Sequence, residues 1–272
     1  MKNEIVIQFS GGIDSLFAAH YLAPRYDKIH LVTFDKGYLH FALKTNQKNV
    51  EILKRIHGED KYIHSLIDIR ALFKALGVKS YKETKNAFGN EIAWCVPCRA
   101  SMALGTIIYA LEHDIPSFTD GANWEQTPDG TKVLATADNF PEYLASIKDI
   151  AQEYRVGYLP VLYELNTRRE RRDALLALGA KIDFNSMDRK KKSLFDVFNK
   201  NFYKRYQPMC LSGYFVHWKR NFFNVKEQIT GEMTANSIRP KLETVGRQFI
   251  KDYFQEKGRG VDEIVNAREA SS

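Results

Sequence analysis

Cysteine is scarce in this chain, with three among 272 residues. That number cannot make the disulfide framework of a small secreted protein, so the spacing of the three is read as metal, cluster or redox chemistry. Long apolar runs are lacking as well. None approaches the ~20 residues of a membrane-spanning helix, so no membrane partner is expected. No charged leader with an apolar stretch opens the sequence, and the cytoplasm is the expected compartment. Internal repeats and low-complexity linkers are absent, which excludes a solenoid. Also missing are a Gly-Lys-Ser/Thr phosphate loop and a Gly-x-Gly-x-x-Gly dinucleotide fingerprint. Acidic excess is absent: 40 Lys and Arg against 33 Asp and Glu leave +7, a balance compatible with a nucleic-acid or polyphosphate partner but not diagnostic of one. With 44% hydrophobic and 27% charged residues, the chain has room for one large α/β domain with a smaller helical addition.

What is present begins with Ser10-Gly11-Gly12-Ile13-Asp14-Ser15. An apolar run over 5–9 precedes it and reads as a buried parallel strand, and the spacing over 16–22 suits an amphipathic helix. A Gly-rich turn between strand and helix points backbone N–H groups and the positive helix end at one spot, which suits an anion. Gly11 and Gly12 leave room for a phosphate, and Ser10 and Ser15 add hydroxyl donors. Asp14 is the odd member, because a carboxylate repels phosphate unless a cation stands between them. That suggests Mg–ATP, with Asp14 positioning the Mg²⁺. The plainer alternative is a glycine turn with a helix cap at Asp14 or Ser15.

Strand and helix patterns alternate further on. Strands are expected over 29–34, 62–67, 116–119 and 158–165, with Pro160 marking an edge position or a strand start in the last. Helices are expected over 43–56, 99–113 and 140–154, and from a cap at Thr167 to Gly179. A short helix over 69–76, capped by Asp68, should stop at Gly77, and 78–92 reads as a surface excursion. The alternation predicts a doubly wound parallel five-stranded sheet, Rossmann-like, over 1–181. Beyond residue 182 a basic run, Arg189 to Lys192, precedes a segment crowded with aromatics. This reads as a helical region over 182–272 that completes the site, with a helix near 241–255 and a frayed tail. The basic-aromatic segment suits stacked RNA bases or helical core packing equally. Arg168, Arg169, Arg171 and Arg172 are expected on a solvated helix face rather than gripping phosphate. His20, His30 and His64 are expected to be structural.

Cys95-Val96-Pro97-Cys98 is placed at the start of a helix, where the dipole favours thiolate. Two intervening residues let both sulfurs reach one metal or one cluster, and Cys210 is a third sulfur far downstream. Three readings stand open. The three cysteines can hold a [4Fe–4S] cluster with one open iron. They can hold Zn²⁺ with a fourth ligand such as His217. They can also form a thiol–disulfide pair. Asp120, Gly121 and Asn123, at the end of a parallel strand, are placed to orient an acceptor or ribose, or to serve only as turn residues.

The string SGGIDS resembles the PP-loop of the N-type ATP pyrophosphatases, which split ATP between the α and β phosphates. Trp94-Cys95-Val96-Pro97-Cys98-Arg99, then Thr119-Asp120-Gly121-Ala122-Asn123, follow one another as in the PP-loop sulfurtransferases. Cys210-Leu211-Ser212 is similar to a stretch of the sacrificial sulfur insertases, and the three-cysteine pattern to that of cluster-dependent tRNA thiolases. Through residue 213 the resemblance runs in order. It implies an adenine nucleotide alpha hydrolase-like fold, with backbone at Val32, Thr33 and Phe34 holding adenine. It implies ATP and Mg²⁺ as cofactors and a [4Fe–4S] cluster on Cys95, Cys98 and Cys210, with Zn²⁺ as the alternative. The implied activity is adenylation of a carbonyl or carboxylate followed by sulfur transfer, with Asp14, Asp120 and Cys210 as catalytic candidates. The acceptor is a small molecule or tRNA, sulfur comes from a donor protein or sulfide, and a homodimer is possible. Two departures concern the acceptor: Trp124-Glu125-Gln126 stands where the insertases have an acidic pair, and no recognisable RNA-binding appendage is present. Amide or nitrile formation, as in 7-cyano-7-deazaguanine synthases, and a non-catalytic nucleotide sensor are the rival readings.

Overall fold

The computed structural model describes residues 2–41, 43–126, 137–163, 165, 167–180, 209–216 and 229–270. In chain order, β1 (Glu4–Gln8) leads through the glycine turn to α1 (Ile13–Leu22). There follow β2 (Lys28–Asp35), β3 (His40–Phe41), α2 (Gln47–His57), β4 (Tyr62–Asp68), α3 (Arg70–Phe73), α4 (Tyr81–Phe88) and α5 (Asn90–His113). Then come β5 (Ser117–Thr119), α6 (Pro141–Glu153), β6 (Gly157–Tyr158), α7 (Arg168–Ala177), β7 (Met209–Cys210), α8 (Leu211–Val216), α9 (Gly231–Lys241), α10 (Arg247–Glu256) and α11 (Val261–Ala270).

The main sheet has the order β4-β2-β1-β5-β6, and every pairing in it is parallel. The fold is therefore the expected doubly wound α/β sheet. Because strand side chains alternate, β1 feeds two cores. Ile5 and Ile7 pack with Ile29, Leu31, α1, Val50, Leu53 and Leu175 on one face. Val6 points to the other face with Val32, Phe34, Phe118 and the apolar side of α5. Ile238, Leu242, Ile250, Phe254 and Val261, from the C-terminal helices, complete that second core.

Helix α5 is long and apolar enough in one window to cross a bilayer, but 78% of that window is buried inside the protein. It is the core helix of the second layer. The chain runs from β1 to β2 and β4 on one side, then crosses through α5 to β5 on the other. This puts the switch in strand order between β1 and β5, where open α/β sheets bind ligands at their C-terminal ends.

Four local expectations need correction. Residues 78–92 are not a surface excursion but α4 and the first turns of α5, broken at Gly89 with φ of +90°. Their polar pattern misled because α4 is tied down by polar groups: Lys241 Nζ donates to Ser80 Oγ and Thr84 Oγ1, each at 2.8 Å. Gly77 does not stop a helix; it lies in a π-helical turn (Lys74–Val78) packed against Phe73 and Pro97. The edge strand β6 covers only Gly157–Tyr158, since Pro160 begins a turn in which Tyr163 N bonds the Pro160 carbonyl. The tail is not frayed, because Arg268 of α11 is buried and donates to the carbonyls of Ala110 at 2.6 Å and Ile115 at 3.0 Å. The basic run at 189–192, most of the aromatic segment, His217 and the boundary at 181/182 lie outside the described residues.

Candidate active site

The glycine loop closes against its neighbours by hydrogen bonds that turn its carbonyls inward. Phe9 N continues the ladder to the Val32 carbonyl at 2.7 Å. The Phe9 carbonyl accepts from Thr33 Oγ1 at 2.7 Å and from Asn46 Nδ2 at 3.4 Å. The Gly12 carbonyl accepts Leu16 N, the first turn of α1, and Ser15 Oγ at 3.3 Å. Gly11 has φ of +71°, a left-handed conformation natural to glycine. Gly12 N donates to Ser10 Oγ at 3.3 Å, and the Ser15 hydroxyl lies 3.2 Å from the same oxygen.

Asp14 does not project toward a free phosphate site. Its Oδ1 takes a 2.5 Å hydrogen bond from Arg171 Nη1, and Arg171 Nη2 stands 3.4 Å from Glu125 Oε2. The same Glu125 oxygen accepts Arg168 N, in the first turn of α7, at 2.6 Å. Arg171 is fully buried, which corrects its assignment to a solvated face. The capping box of Thr167 and Glu170 starts α7 in the register that turns Arg171 inward, while Arg169 stays exposed. Burial pushes the Asp14 carboxyl above its usual value, against the pull of Arg168 and Arg171.

At the end of β5, Asp120 is likewise enclosed. Its Oδ2 accepts from Arg99 Nη2 at 2.7 Å and Tyr158 OH at 3.0 Å, and its Oδ1 from Ala122 N at 2.9 Å. Arg99 Nε lies 3.4 Å from Asp138 as well. These contacts fasten the helix bearing the two cysteines to the strand end. Gly121 then passes so close to the glycine loop that a Cβ there would stand 3.1 Å from Asp14 Cβ. Asn123 is buried, and its Nδ2 bonds the Gly121 carbonyl at 3.2 Å, which is the turn-closing alternative. Val32, Thr33 and Phe34 lie in the C-terminal half of β2, between β1 and β4.

The thiols meet through a residue that sequence reasoning passed over. Lys36 follows β2 directly; it is 4% exposed and donates to Cys210 Sγ and Ser212 Oγ, each at 3.1 Å. Its ammonium lies over the Phe73 and Trp94 rings, 5.4 and 5.6 Å from their centroids, and Trp94 Nε1 donates to the same Ser212 Oγ at 3.2 Å. Three successive left-handed residues, Gly37, Tyr38 and Leu39, reverse the chain there. His40 in β3 then pairs with Cys210 in β7, antiparallel. Burial opposes the Lys36 charge, but Cys98 and Cys210 outweigh it and hold the ammonium above its usual pKa. Burial pushes the Cys98 thiol up to about 11 and the Cys95 thiol well above its ordinary value. The two cysteines lie inside α5 rather than at a helix start, so the expected dipole activation does not apply to them. Cys210 is the exposed member of the three.

The structure thus gathers the loop, the β2 and β5 ends and the three cysteines at one end of the sheet. Among the described residues, no three Cys, His, Asp or Glu side chains come together to hold a metal ion. Sequence reasoning missed Lys36, Asn46 and Asn49, gave Arg99 no role and misplaced Arg171. The usable signal for Arg171 was its position four residues past the Thr167 cap, on the side of α7 that carries Leu175 inward. His30 bonds Glu4 and Tyr109, and His64 bonds Thr33, which are structural roles.

No protein-family model matches the sequence. Among solved structures, a 4-thiouridine synthetase in complex with RNA and bound ATP aligns with 90% of this chain at TM-score 0.51 and 17% identity. The match covers 53% of that protein, so this chain spans about half its length. The U34-tRNA thiolase NcsA from Methanococcus maripaludis, solved with its [4Fe–4S] cluster, aligns with 90% of the chain and 73% of its own, at TM-score 0.42 and 12% identity. A protein named as a predicted subunit of tRNA methyltransferase from Methanocaldococcus jannaschii aligns over 63% and 73%, at TM-score 0.39 and 17% identity. At 17% identity, the likeness to the 4-thiouridine synthetase shows a shared fold.

Proposed function

We propose that this chain is a PP-loop ATP pyrophosphatase that adenylates an acceptor carbonyl or carboxylate and then transfers sulfur to it. One observation carries the reading. Cys95, Cys98 and Cys210, separated by more than a hundred residues, gather around Lys36 at the sheet end that also carries the SGGIDS loop. A phosphate cradle and sulfur atoms at one end of the sheet suit activation followed by sulfur attack.

ATP is the substrate, with its β and γ phosphates against the loop N–H groups and the N-terminus of α1. The acceptor oxygen attacks the α phosphorus, forming a new P–O bond as the α–β bridging bond breaks and pyrophosphate leaves. A sulfur nucleophile then bonds to the activated carbon, and the C–O bond breaks to release AMP. Arg99, anchored by Asp120, holds the thiol-bearing helix beside that carbon. Mg²⁺ accompanies ATP to spread the charge on the leaving group. The Asp14 carboxylate, occupied by Arg171, does not fit as its ligand here.

The [4Fe–4S] cluster, or zinc, is tested by the same geometry. The thiols share a neighbourhood, yet no set of three ligands is formed among the described residues, and an ammonium sits on Cys210 Sγ. This arrangement does not fit a cluster or zinc, so the sulfur is assigned to a thiol-bound persulfide supplied by a donor. Once its outer sulfur has bonded to the acceptor carbon, a second cysteine thiolate attacks the inner sulfur, breaking the S–S bond to release the thiolated acceptor and leaving a protein disulfide that an external thiol reductant reopens. The acceptor is tRNA or a small carbonyl compound. The +7 charge favours the polyanion.

The test is incubation of anaerobically purified protein with ATP, Mg²⁺, a persulfide donor, a thiol reductant and either bulk tRNA or small carbonyl compounds. Equimolar AMP and pyrophosphate, with oxygen-to-sulfur exchange in the acceptor by mass spectrometry, is expected. ADP and phosphate instead would refute the adenylation. Stoichiometric iron and sulfide in the purified protein would refute the thiol-only assignment. Binding of tRNA that does not weaken with added salt would refute phosphate contact.

A further inference from the structure

We infer that Asn49, buried in α2, is a positioning residue for phosphate binding: its amide holds the Gly11–Gly12 peptide so that the Gly12 N–H, not the Gly11 carbonyl, faces the nucleotide. The inference rests on the nucleotide reading of the loop given above and adds a residue outside the SGGIDS motif to it.

The geometry is direct. Asn49 Nδ2 donates to the Gly11 carbonyl at 3.1 Å, from a side chain with no solvent exposure. No cis peptide occurs among the described residues, and in a trans peptide the carbonyl and the following N–H point in opposite directions. Fixing the Gly11 carbonyl toward α2 therefore aims the Gly12 N–H the other way, to the side where it meets Ser10 Oγ at 3.3 Å.

The loop has reason to need this hold. A peptide flanked by two glycines can rotate at little steric cost, since both neighbours accept left-handed angles. Rotation would replace a donor with a carbonyl oxygen facing phosphate, turning an attraction into a repulsion. The carbonyls on either side are tethered independently: that of Phe9 by Thr33 and Asn46, and that of Gly12 by Leu16 N and Ser15 Oγ. The Gly11 carbonyl takes its tether from Asn49.

Packing does not explain the residue. Its helix neighbours Val50 and Leu53 belong to the apolar core beneath β1. The Asn49 Oδ1 atom is buried with no hydrogen-bond partner among the described residues. A buried amide with one orphaned acceptor is a net destabilisation, and a leucine of similar size would suit the neighbours at least as well. The amide makes sense through the carbonyl it holds.

The experiment is calorimetric titration of wild type, Asn49→Leu and Asn49→Asp with inorganic pyrophosphate and, separately, AMP, alongside thermal melts. Pyrophosphate affinity should fall about tenfold in both variants, the loss of one oriented donor. AMP affinity should stay within about twofold, and Asn49→Leu should melt no lower than wild type. A destabilised Asn49→Leu whose pyrophosphate and AMP affinities fall together would show a merely structural role and overturn the inference. Pyrophosphate affinity equal to wild type in whichever variant folds would overturn it too. Wild-type protein that binds neither probe would overturn the nucleotide reading, and this inference with it; wild-type binding with unaltered variants would overturn the inference alone.

Discussion

Replacing Arg171 with methionine removes the cation from between Asp14 and Glu125 while keeping much of the side chain's bulk. Arg171 has no solvent exposure, and its Nη1 lies 2.5 Å from Asp14 Oδ1. An exposed arginine on the same helix would contribute about 0–1 kcal/mol through such a pair. A buried pair that loses one partner costs about 3–5 kcal/mol, because a carboxylate remains without compensation. The two figures decide between a solvated helix face and an internal brace for the glycine loop. The pH dependence has a definite sign. Burial already raises the folded pKa of Asp14, so the folded state holds this proton more tightly than the unfolded state does. Stability from this group is therefore lost as pH rises from the ordinary carboxylate range through the raised folded value. Without Arg171 the folded pKa climbs further, and the deficit of Arg171→Met should be largest at neutral pH and shrink in acid, where Asp14 takes up a proton. Urea unfolding followed by circular dichroism at several pH values measures this directly. A loss below about 1 kcal/mol, unchanged between neutral and acid pH, would refute the brace.

Most of the sheet was legible because its signal is local. The apolar runs over 5–9, 29–34 and 62–67 are short and bounded by turn residues, and they became β1, β2 and β4. The glycine loop was legible for the same reason, its strand, turn and helix being contiguous. The edge strand was overestimated because Tyr158 to Leu165 is apolar without being strand: Leu162 is buried under a turn, in the core beside α7. The stretch from Val78 to Ile92 looked like a loop because its polar side chains serve long-range partners. Lys241 reaches Ser80 and Thr84 from α9, and Glu91 accepts Ala137 N at 2.8 Å.

The candidate site was legible as an inventory of motifs but not as a network. That Cys210 lies near the CxxC helix depends on the reversal at Gly37–Leu39 and on a two-residue ribbon, neither of which leaves a pattern in the sequence. Lys36 looked like an ordinary turn lysine after a strand, and only the fold surrounds it with Phe73, Trp94 and Cys210. Asp14 stood out in the sequence as the odd member of its loop, and Asp120 as a candidate at a strand end. Each has an arginine partner, Arg171 fully buried and Arg99 half-buried, which sequence spacing does not reveal.

Gly121→Ala places a Cβ 3.1 Å from Asp14 Cβ and 3.4 Å from Ser15 N, so the loop must shift by a few tenths of an ångström. Pyrophosphate affinity should weaken while the melting temperature changes little, and unaltered affinity would show that the β5 end does not brace the loop. The thiols should differ in reactivity by an amount that the structure sets. Alkylation requires thiolate, and a thiol held at about 11, as Cys98 is, has only about a thousandth of its population ionised at pH 8. At the ordinary value of 9.0 the ionised fraction would be about a tenth, so the shift, set chiefly by burial, slows Cys98 about a hundredfold. Cys95 is pushed the same way, whereas Cys210 is exposed and takes a 3.1 Å hydrogen bond from the Lys36 ammonium. Peptide mapping after brief iodoacetamide treatment of metal-free protein at pH 8 should find the label on Cys210 first. Lys36→Met should slow that labelling and Lys36→Arg restore part of it, since either cation favours the ionised sulfur over the neutral one. Equal labelling of all three cysteines, or a Cys210 rate indifferent to the loss of Lys36, would mean that this lysine does not select the reactive sulfur.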